Sequence, residues 1–243
     1  MSISIIVPAH NEEYYLGGCL EAAATAARAV TVGVETVVVL NRCTDASERI
    51  AREHGAQVVH DASRCIAAVR NRGVAASSGE IIVTCDADSR LHPQMLPAVL
   101  QELERGAIGG GVDIRYDRRS RGIRATEAVF RLVMRATGIS CGAFWTTRQA
   151  FDAVSGFDER LLIAEDVDLA RRLREYGKAR GLRYRALWET PLLTSSRKFD
   201  QYGDWSFFLM PLRDGRRIWR SFRRRDTEFV DEYFHDFNDE HKP

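Results

Sequence analysis

The chain has almost no net charge, few cysteines and no long apolar run, and each shortage removes a class of protein. Its 35 Lys and Arg face 34 Asp and Glu, a net charge of +1, so no global field draws it to nucleic acid. The five cysteines are odd in number and widely spaced, with no Cys-x-x-Cys. That argues against a disulfide framework or a zinc knuckle and for a reducing compartment. No apolar stretch reaches the roughly 18 residues that a spanning helix needs. Met1 to Pro8 is a short apolar strand without the basic start of a secretory signal. No Gly-x-Gly-x-x-Gly follows a strand, which removes the usual dinucleotide fingerprint. The expected location is the cytoplasm.

What remains is an ordinary globular composition, 45% hydrophobic and 28% charged over 243 residues, enough to bury a full core. Apolar runs alternate with helical spacing in the first two-fifths. Strands are predicted at Ile3–Val7, Val34–Leu40, Val58–Val59 and Ile81–Cys85, with helices at Leu16–Ala27, Ala46–His54 and Ala67–Ala76 between them. Near-continuous apolar strands joined by helices mean a parallel sheet covered on both faces. Further on, the pattern predicts a helix over Pro93–Arg105 opened by its proline, a strand over Val112–Tyr116, helices over Gly122–Ala136 and Val167–Tyr176, and a strand over Leu182–Leu187. The fold class is α/β with antiparallel strands added at one edge.

Chemistry-bearing residues cluster just past the strands, where open α/β sheets gather ligands. Asp86 and Asp88 flank Ala87 after the fourth strand. Two short carboxylates at spacing two suit Mg2+ or Mn2+ bridging phosphate oxygens, and equally suit a solvated turn. Pro8, Ala9, Asn11 and Glu12 follow the first strand; Asn11 is a helix-cap candidate, and the loop also suits a nucleobase or ribose. Asn41, Thr44 and Asp45 follow the second strand, where Thr44 or Asp45 can cap the next helix. Arg70 can reach a diphosphate, pair with Asp86, or lie on a helix surface. Glu165, Asp166 and Asp168 open a helix whose positive end favours acids. Apolar neighbours at Phe151–Phe157 and Leu161–Ala164 would raise a carboxylate there toward a general base.

Taken in order, these segments resemble glycosyltransferase family 2, of the GT-A fold. Pro8–Glu13 matches P-x-x-N-E-E, Thr44-Asp45 the end of D-D-G-S-x-D, and Arg70-Asn71-Arg72-Gly73 with Gly79-Glu80 the A-R-N-x-G…G-E segment. Asp86-Ala87-Asp88 matches the D-x-D. Gly142-Ala143-Phe144-Trp145, Gly156-Phe157-Asp158-Glu159 and Glu165–Leu169 match the later blocks. The resemblance spans roughly residues 3–200. It implies an inverting transfer of sugar from a UDP- or GDP-linked donor to an acceptor hydroxyl. Pro8, Ala9, Asn11, Glu12, Asn41, Asp45, Arg70, Asp86 and Ala87 would line the donor nucleotide. Asp88 would hold Mn2+ or Mg2+, Asp166 would be the catalytic base, and Glu165, Gly142, Trp145 and Arg197 would face donor sugar or acceptor.

Three departures qualify that likeness. Leu40 and Asn41 stand where the family has paired acids. No histidine lies between Leu182 and Phe199 to offer a further metal ligand; Thr194-Ser195-Ser196-Arg197 is there instead, a phosphate site or an exposed loop. The Q-x-x-R-W block is absent, so the expected enzyme is non-processive. Strand-D-x-D also occurs in haloacid-dehalogenase-like phosphatases, though nearer the first strand, and a catalytically inactive binding module is the non-enzymatic alternative.

Composition shifts near the end, dividing a domain at 1–198 from an extension at 199–243. Between Arg213 and Arg225 lie seven Arg and one Asp; between Asp226 and Glu240 lie seven acids with no Lys or Arg. The basic stretch, with the aromatics from Trp205 on, fits either an anionic membrane surface at the inner face or a helix packed on the domain and paired with the acidic tail. Acceptor selection is expected in loops around Gly109–Arg124 and Gly138–Phe157.

Overall fold

The computed structural model describes residues 1–137, 139, 143–161, 163–210 and 213. Strand β1 (Ser2–Ala9) is central to the first half. It pairs in parallel with β2 (Gly33–Asn41) on one side and β4 (Ile81–Thr84) on the other, and β2 pairs in parallel with β3 (Gln57–Asp61). Ile3, Ile5, Ile6 and Val7 are all fully buried. That explains a near-continuous apolar run interrupted only by Ser4, which is buried too and donates to Glu35: both faces of the strand are covered.

Helices α1 (Leu16–Ala27), α2 (Ser47–Glu53) and α3 (Ile66–Ala76) connect these strands. A Cβ on Gly73 of α3 would run into the Cγ2 atoms of Ile6 and Val39. The glycine therefore sets how closely α3 lies on the sheet.

Past β4 the sheet changes direction. A two-residue strand, β5 (Ser89–Arg90), and helix α4 (Met95–Glu104) lead to β6 (Ala107–Tyr116). After α5 (Arg121–Thr137) comes β7 (Phe144–Thr147), which inserts between β4 and β6 and runs antiparallel to both. Then follow α6 (Arg148–Ala153), α7 (Glu165–Lys178), β8 (Arg183–Tyr184), β9 (Leu187–Thr194) and α8 (Arg197–Tyr202). The strand order is β3-β2-β1-β4-β7-β6-β9-β5, with β8 beside β6. Two apolar clusters fill the faces: one includes residues of α1 and α4, the other residues of α3, α6 and α7.

Several expectations need correction. Helix α4 begins at Met95, so Pro93 lies outside it and Pro97 sits in its first turn, where a missing N–H costs nothing. Leu182–Leu187 is not one strand; an irregularity at Arg185-Ala186 splits it into β8 and the longer β9, both parallel to β6. Most of Gly109–Arg124 is strand or helix rather than loop, with only residues 117–120 between β6 and α5. The boundary at 198/199 falls inside α8, whose Phe199 is buried and meets Tyr116 edge-on at 4.8 Å. Arg118 adds ion pairs to Asp200 and Asp204, so the chain stays fastened to the domain past that point. Cys141, Gly142 and the Arg-rich and acidic stretches after Arg213 lie outside the described residues.

Candidate active site

The loops after β1, β2 and β4 meet at the carboxyl edge of the parallel half. The first two are stitched together by backbone N–H groups and short polar side chains. Asn11 Oδ1 accepts the Thr44 N–H at 2.8 Å, and Ser47 Oγ accepts that of Glu12 at 2.9 Å. Asp45 accepts the Glu13 N–H at 2.8 Å and the Ser47 N–H at 3.0 Å, while Glu13 accepts that of Ala46 at 3.1 Å.

Asn11 therefore does not cap α1, which starts at Leu16; with φ at 50° it turns the loop toward Thr44 instead. The N-cap of α2 is Ala46, not Thr44 or Asp45; Asp45, one residue earlier, accepts the first helical N–H, that of Ser47. The Asn41 amide is engaged by Asp61 and by the Ser63 carbonyl at 2.8 Å, which fixes the end of β3. Cys43 donates to the Ala9 carbonyl at 3.3 Å, and burial pushes its thiol up to about 11.

Asp86 and Asp88 follow β4, each beside an arginine. Arg70 is buried, so the helix-surface reading is wrong. Its guanidinium donates to Asp86 at 2.9 Å and to Glu165 at 2.5 Å, and lies over the Phe157 ring at 5.5 Å. Asn71, next to it, clamps the Phe157 backbone from both sides at 2.9 and 3.0 Å. The R-N-R-G, G-F-D-E and E-D-V-D-L segments thus converge on one cation. Burial opposes the charge of Arg70, but Asp86, Glu165 and Asp166 outweigh it and hold its pKa above normal. Burial, aided by Asp166 next to it, raises Glu165 against the pull of Arg70. Asp166 is half-buried at the first turn of α7, and its carboxylate accepts the Val167 N–H at 2.7 Å.

On the other side, Arg197 forms a fork onto Glu12 at 2.9 and 2.6 Å and reaches Asp88 at 3.0 Å. Its guanidinium lies 4.8 Å from the Tyr15 ring centre. The Ser195 N–H donates to the Asp88 carbonyl at 3.1 Å. Residues 194–197 are therefore an anchored part of the site, not an exposed loop. Lys198 is half-buried beside them; burial lowers its pKa while Asp88 supports its charge. Sequence reasoning missed Lys198 and Tyr15. The basic pair Arg197-Lys198 was a signal, whereas Tyr15 acquires meaning only through Arg197.

Other assignments change. Trp145 is fully buried in β7, opposite Val83 and Gly110, so it cannot face a sugar. Pro8, Ala9 and Ala87 are buried too, which leaves only their main chain for a ligand. Among the described residues no group of three or more His, Cys, Asp or Glu is arranged to hold a metal by itself. The hard oxygens of Asp88 still fit Mg2+ or Mn2+, which take one or two carboxylates and complete their shell with water and phosphate oxygens.

The family model described as glycosyl transferase family 2 matches residues 4–159. The chain belongs to glycosyl transferase family 2. An uncharacterized glycosyltransferase of Mycobacterium tuberculosis is 31% identical over 106 residues, covering 44% of this chain and 45% of that one. The undecaprenyl-phosphate 4-deoxy-4-formamido-L-arabinose transferase of Pseudomonas fluorescens is 26% identical over 159 residues, 61% of this chain and 46% of that protein. The chain spans less than half the length of these two relatives.

Among solved structures, the mannosyltransferase from Pyrobaculum calidifontis in complex with GDP-Man and Mn2+ superposes with a TM-score of 0.64 at 20% identity, covering 92% of this chain and 61% of that one. Glucosyl-3-phosphoglycerate synthase from Mycobacterium tuberculosis, with Mn2+, UDP and glucosyl-3-phosphoglycerate, gives 0.60 at 22% identity, covering 93% and 80%. The GT-A expectation is borne out by these likenesses of fold. Family membership disfavours the phosphatase alternative.

Proposed function

We propose that this family 2 glycosyltransferase moves a sugar from a nucleoside-diphosphate donor to an acceptor hydroxyl by one displacement with inversion, without processive elongation. One observation carries the reading: the two aspartates after β4 are flanked by two arginines, with Asp166 one residue from the Glu165 partner of Arg70. The loops of Asn11–Glu13 and Thr44–Ser47 are tied together beforehand and offer the nucleoside a formed wall. Asp86, held by Arg70, faces the nucleoside. Asp88 would hold the divalent cation, which supplies charge stabilisation to the leaving diphosphate. Arg197 and Lys198 add positive charge beside it.

Asp166 takes the proton of the acceptor hydroxyl. Glu165, the neighbouring carboxylate, is committed to Arg70 and positions rather than attacks, which favours inversion. Calorimetry with UDP and GDP in the presence of Mn2+ tests the donor site. Micromolar binding of one nucleotide, lost in Asp88→Ala, is expected. Phosphate-monoester turnover without nucleotide affinity would return the phosphatase alternative; binding with no transfer to any acceptor would return the inactive module.

For the acceptor, the reading supported by the surface is a lipid-linked molecule met at an anionic membrane. Trp205 and Leu209 are 51% and 57% exposed just before the Arg-rich stretch, and Leu132 of α5 is 67% exposed. Such side chains insert at an interface while guanidinium groups meet anionic headgroups. No helix among the described residues is long and apolar enough to cross a membrane. Flotation of the full chain with phosphatidylglycerol vesicles is expected. It should be lost when Arg216, Arg217, Arg220, Arg223, Arg224 and Arg225 are changed to Gln; equal flotation would return the packed-helix reading.

A further inference from the structure

Asp88 carries two assignments that conflict. It is the carboxylate expected to meet a divalent cation, yet one of its oxygens lies 3.0 Å from Arg197 and the other 3.2 Å from Ser89 Oγ. Glu12, also deep in the site, has both oxygens on the same guanidinium. The side chains of Arg197, Glu12 and Asp88 are only 18%, 8% and 18% exposed. Leaving these two carboxylates without a counter-ion at such depth would be costly, and Arg197 removes that cost. A metal ion and Arg197 therefore compete for Asp88.

The surroundings allow an exchange. Arg197 opens the six-residue helix α8, and the segment before it is pinned through main chain and hydroxyls: Ser195 N to Asp88 O at 3.1 Å, and Ser89 Oγ to Thr194 Oγ1 at 2.8 Å. Its guanidinium keeps a two-point anchor on Glu12 and a ring face at Tyr15 even when Asp88 is withdrawn. The cluster as a whole holds five carboxylates, Glu12, Asp86, Asp88, Glu165 and Asp166, against three cations, Arg70, Arg197 and Lys198. The excess of two negative charges equals the charge of one divalent cation. A cation that takes Asp88 leaves a guanidinium hydrogen-bond donor in need of an acceptor, and a diphosphate brings acceptor oxygens to that place.

We infer that Arg197 is an exchangeable counter-ion of the donor site: it neutralises Asp88 before the donor binds and, anchored on Glu12, passes to the diphosphate when a metal ion takes Asp88. The inference rests on the proposed donor reading and adds a consequence to it. Metal alone must take Asp88 from Arg197 and leave that guanidinium with Glu12 as its remaining carboxylate, so it binds weakly; nucleoside diphosphate replaces the lost acceptor, so the two ligands bind cooperatively. Coupling of this kind is reciprocal.

The test separates the two halves of the exchange with binding readouts. Free Mn2+ is followed by electron paramagnetic resonance without nucleotide, and UDP or GDP binding by calorimetry at saturating Mn2+, on the full chain and on Arg197→Ala. Arg197→Ala is expected to bind Mn2+ alone more tightly and the nucleoside diphosphate more weakly, each by roughly 5- to 150-fold. Arg197→Lys keeps a cation without the fork and should shift both in the same senses by less; it also serves if Arg197→Ala does not fold. A variant that binds both ligands more weakly, or both as before, overturns the inference, because a merely structural arginine moves both affinities together. If the unaltered chain binds neither UDP nor GDP, the donor reading itself fails.

Discussion

The two flanks of Asp86-Ala87-Asp88 solve the same electrostatic problem with different degrees of fixity. On one flank, Arg70 rises from the middle of α3, an eleven-residue helix seated on the sheet through Gly73. Its partners Asp86 and Glu165 come from the loop after β4 and from α7, and Asn71 locks the turn that carries Phe157 beneath it. On the other flank, Arg197 begins a six-residue helix outside the 4–159 stretch that matches the family model. Its side chain is 18% exposed, against 8% for Arg70. The comparison teaches that an arginine held by a core helix serves as a fixed brace, whereas one at the start of a short peripheral helix is placed to change partners.

The largest effect expected on the Arg70 flank is chemical. Asp166→Asn keeps the shape of the α7 start but removes the proposed proton acceptor. Transfer should fall by roughly 10²- to 10⁴-fold while nucleotide binding by calorimetry stays unchanged. Equal loss of both would make Asp166 a binding residue.

Next in size is the difference in stability between the flanks. Arg70→Ala strands the buried Glu165, takes a partner from the half-exposed Asp86, and should cost about 3–5 kcal/mol, read from the urea midpoint at constant slope. Arg197→Ala strands Glu12 and Asp88, at 8% and 18% exposure, but removes a guanidinium that stands nearer to water than that of Arg70, and should cost roughly 1–3 kcal/mol. The reverse order, or equal losses, would break the distinction between brace and exchangeable partner.

The same contrast governs what was legible in the sequence. Strands β1, β2 and β4 were readable because burial demands near-continuous apolar runs such as Ile3–Val7, broken only by Ser4, and strand ends then point to Asp86 and Asp88. Strand β7 was not: four residues give no periodicity, and Trp145, which resembled a sugar platform, is consumed by a central strand covered on both sides. Strand β9 was hidden by Pro191, which looks like a break and is tolerated within this strand. The fork from Arg197 to Glu12 joins residues 185 apart, and no local pattern records such a pair. Asn11 was misread because its cap-like spacing ignored a left-handed backbone that turns its amide oxygen to Thr44.

The smallest effect expected concerns protons on the fixed flank. Burial raises the Glu165 pKa, and Asp166 adds to it, against the attraction of Arg70. The folded chain then retains a proton that the unfolded chain releases, so stability contributed at this position falls as pH rises from the ordinary glutamate range through the raised folded value. Glu165→Gln keeps an acceptor oxygen for Arg70 and carries no proton to lose. The stability of the unaltered chain minus that of the variant should therefore decline with rising pH across that window in urea titrations. A difference that grows instead would mean that Arg70 outweighs burial, and the brace would then be a fully ionised pair at every working pH.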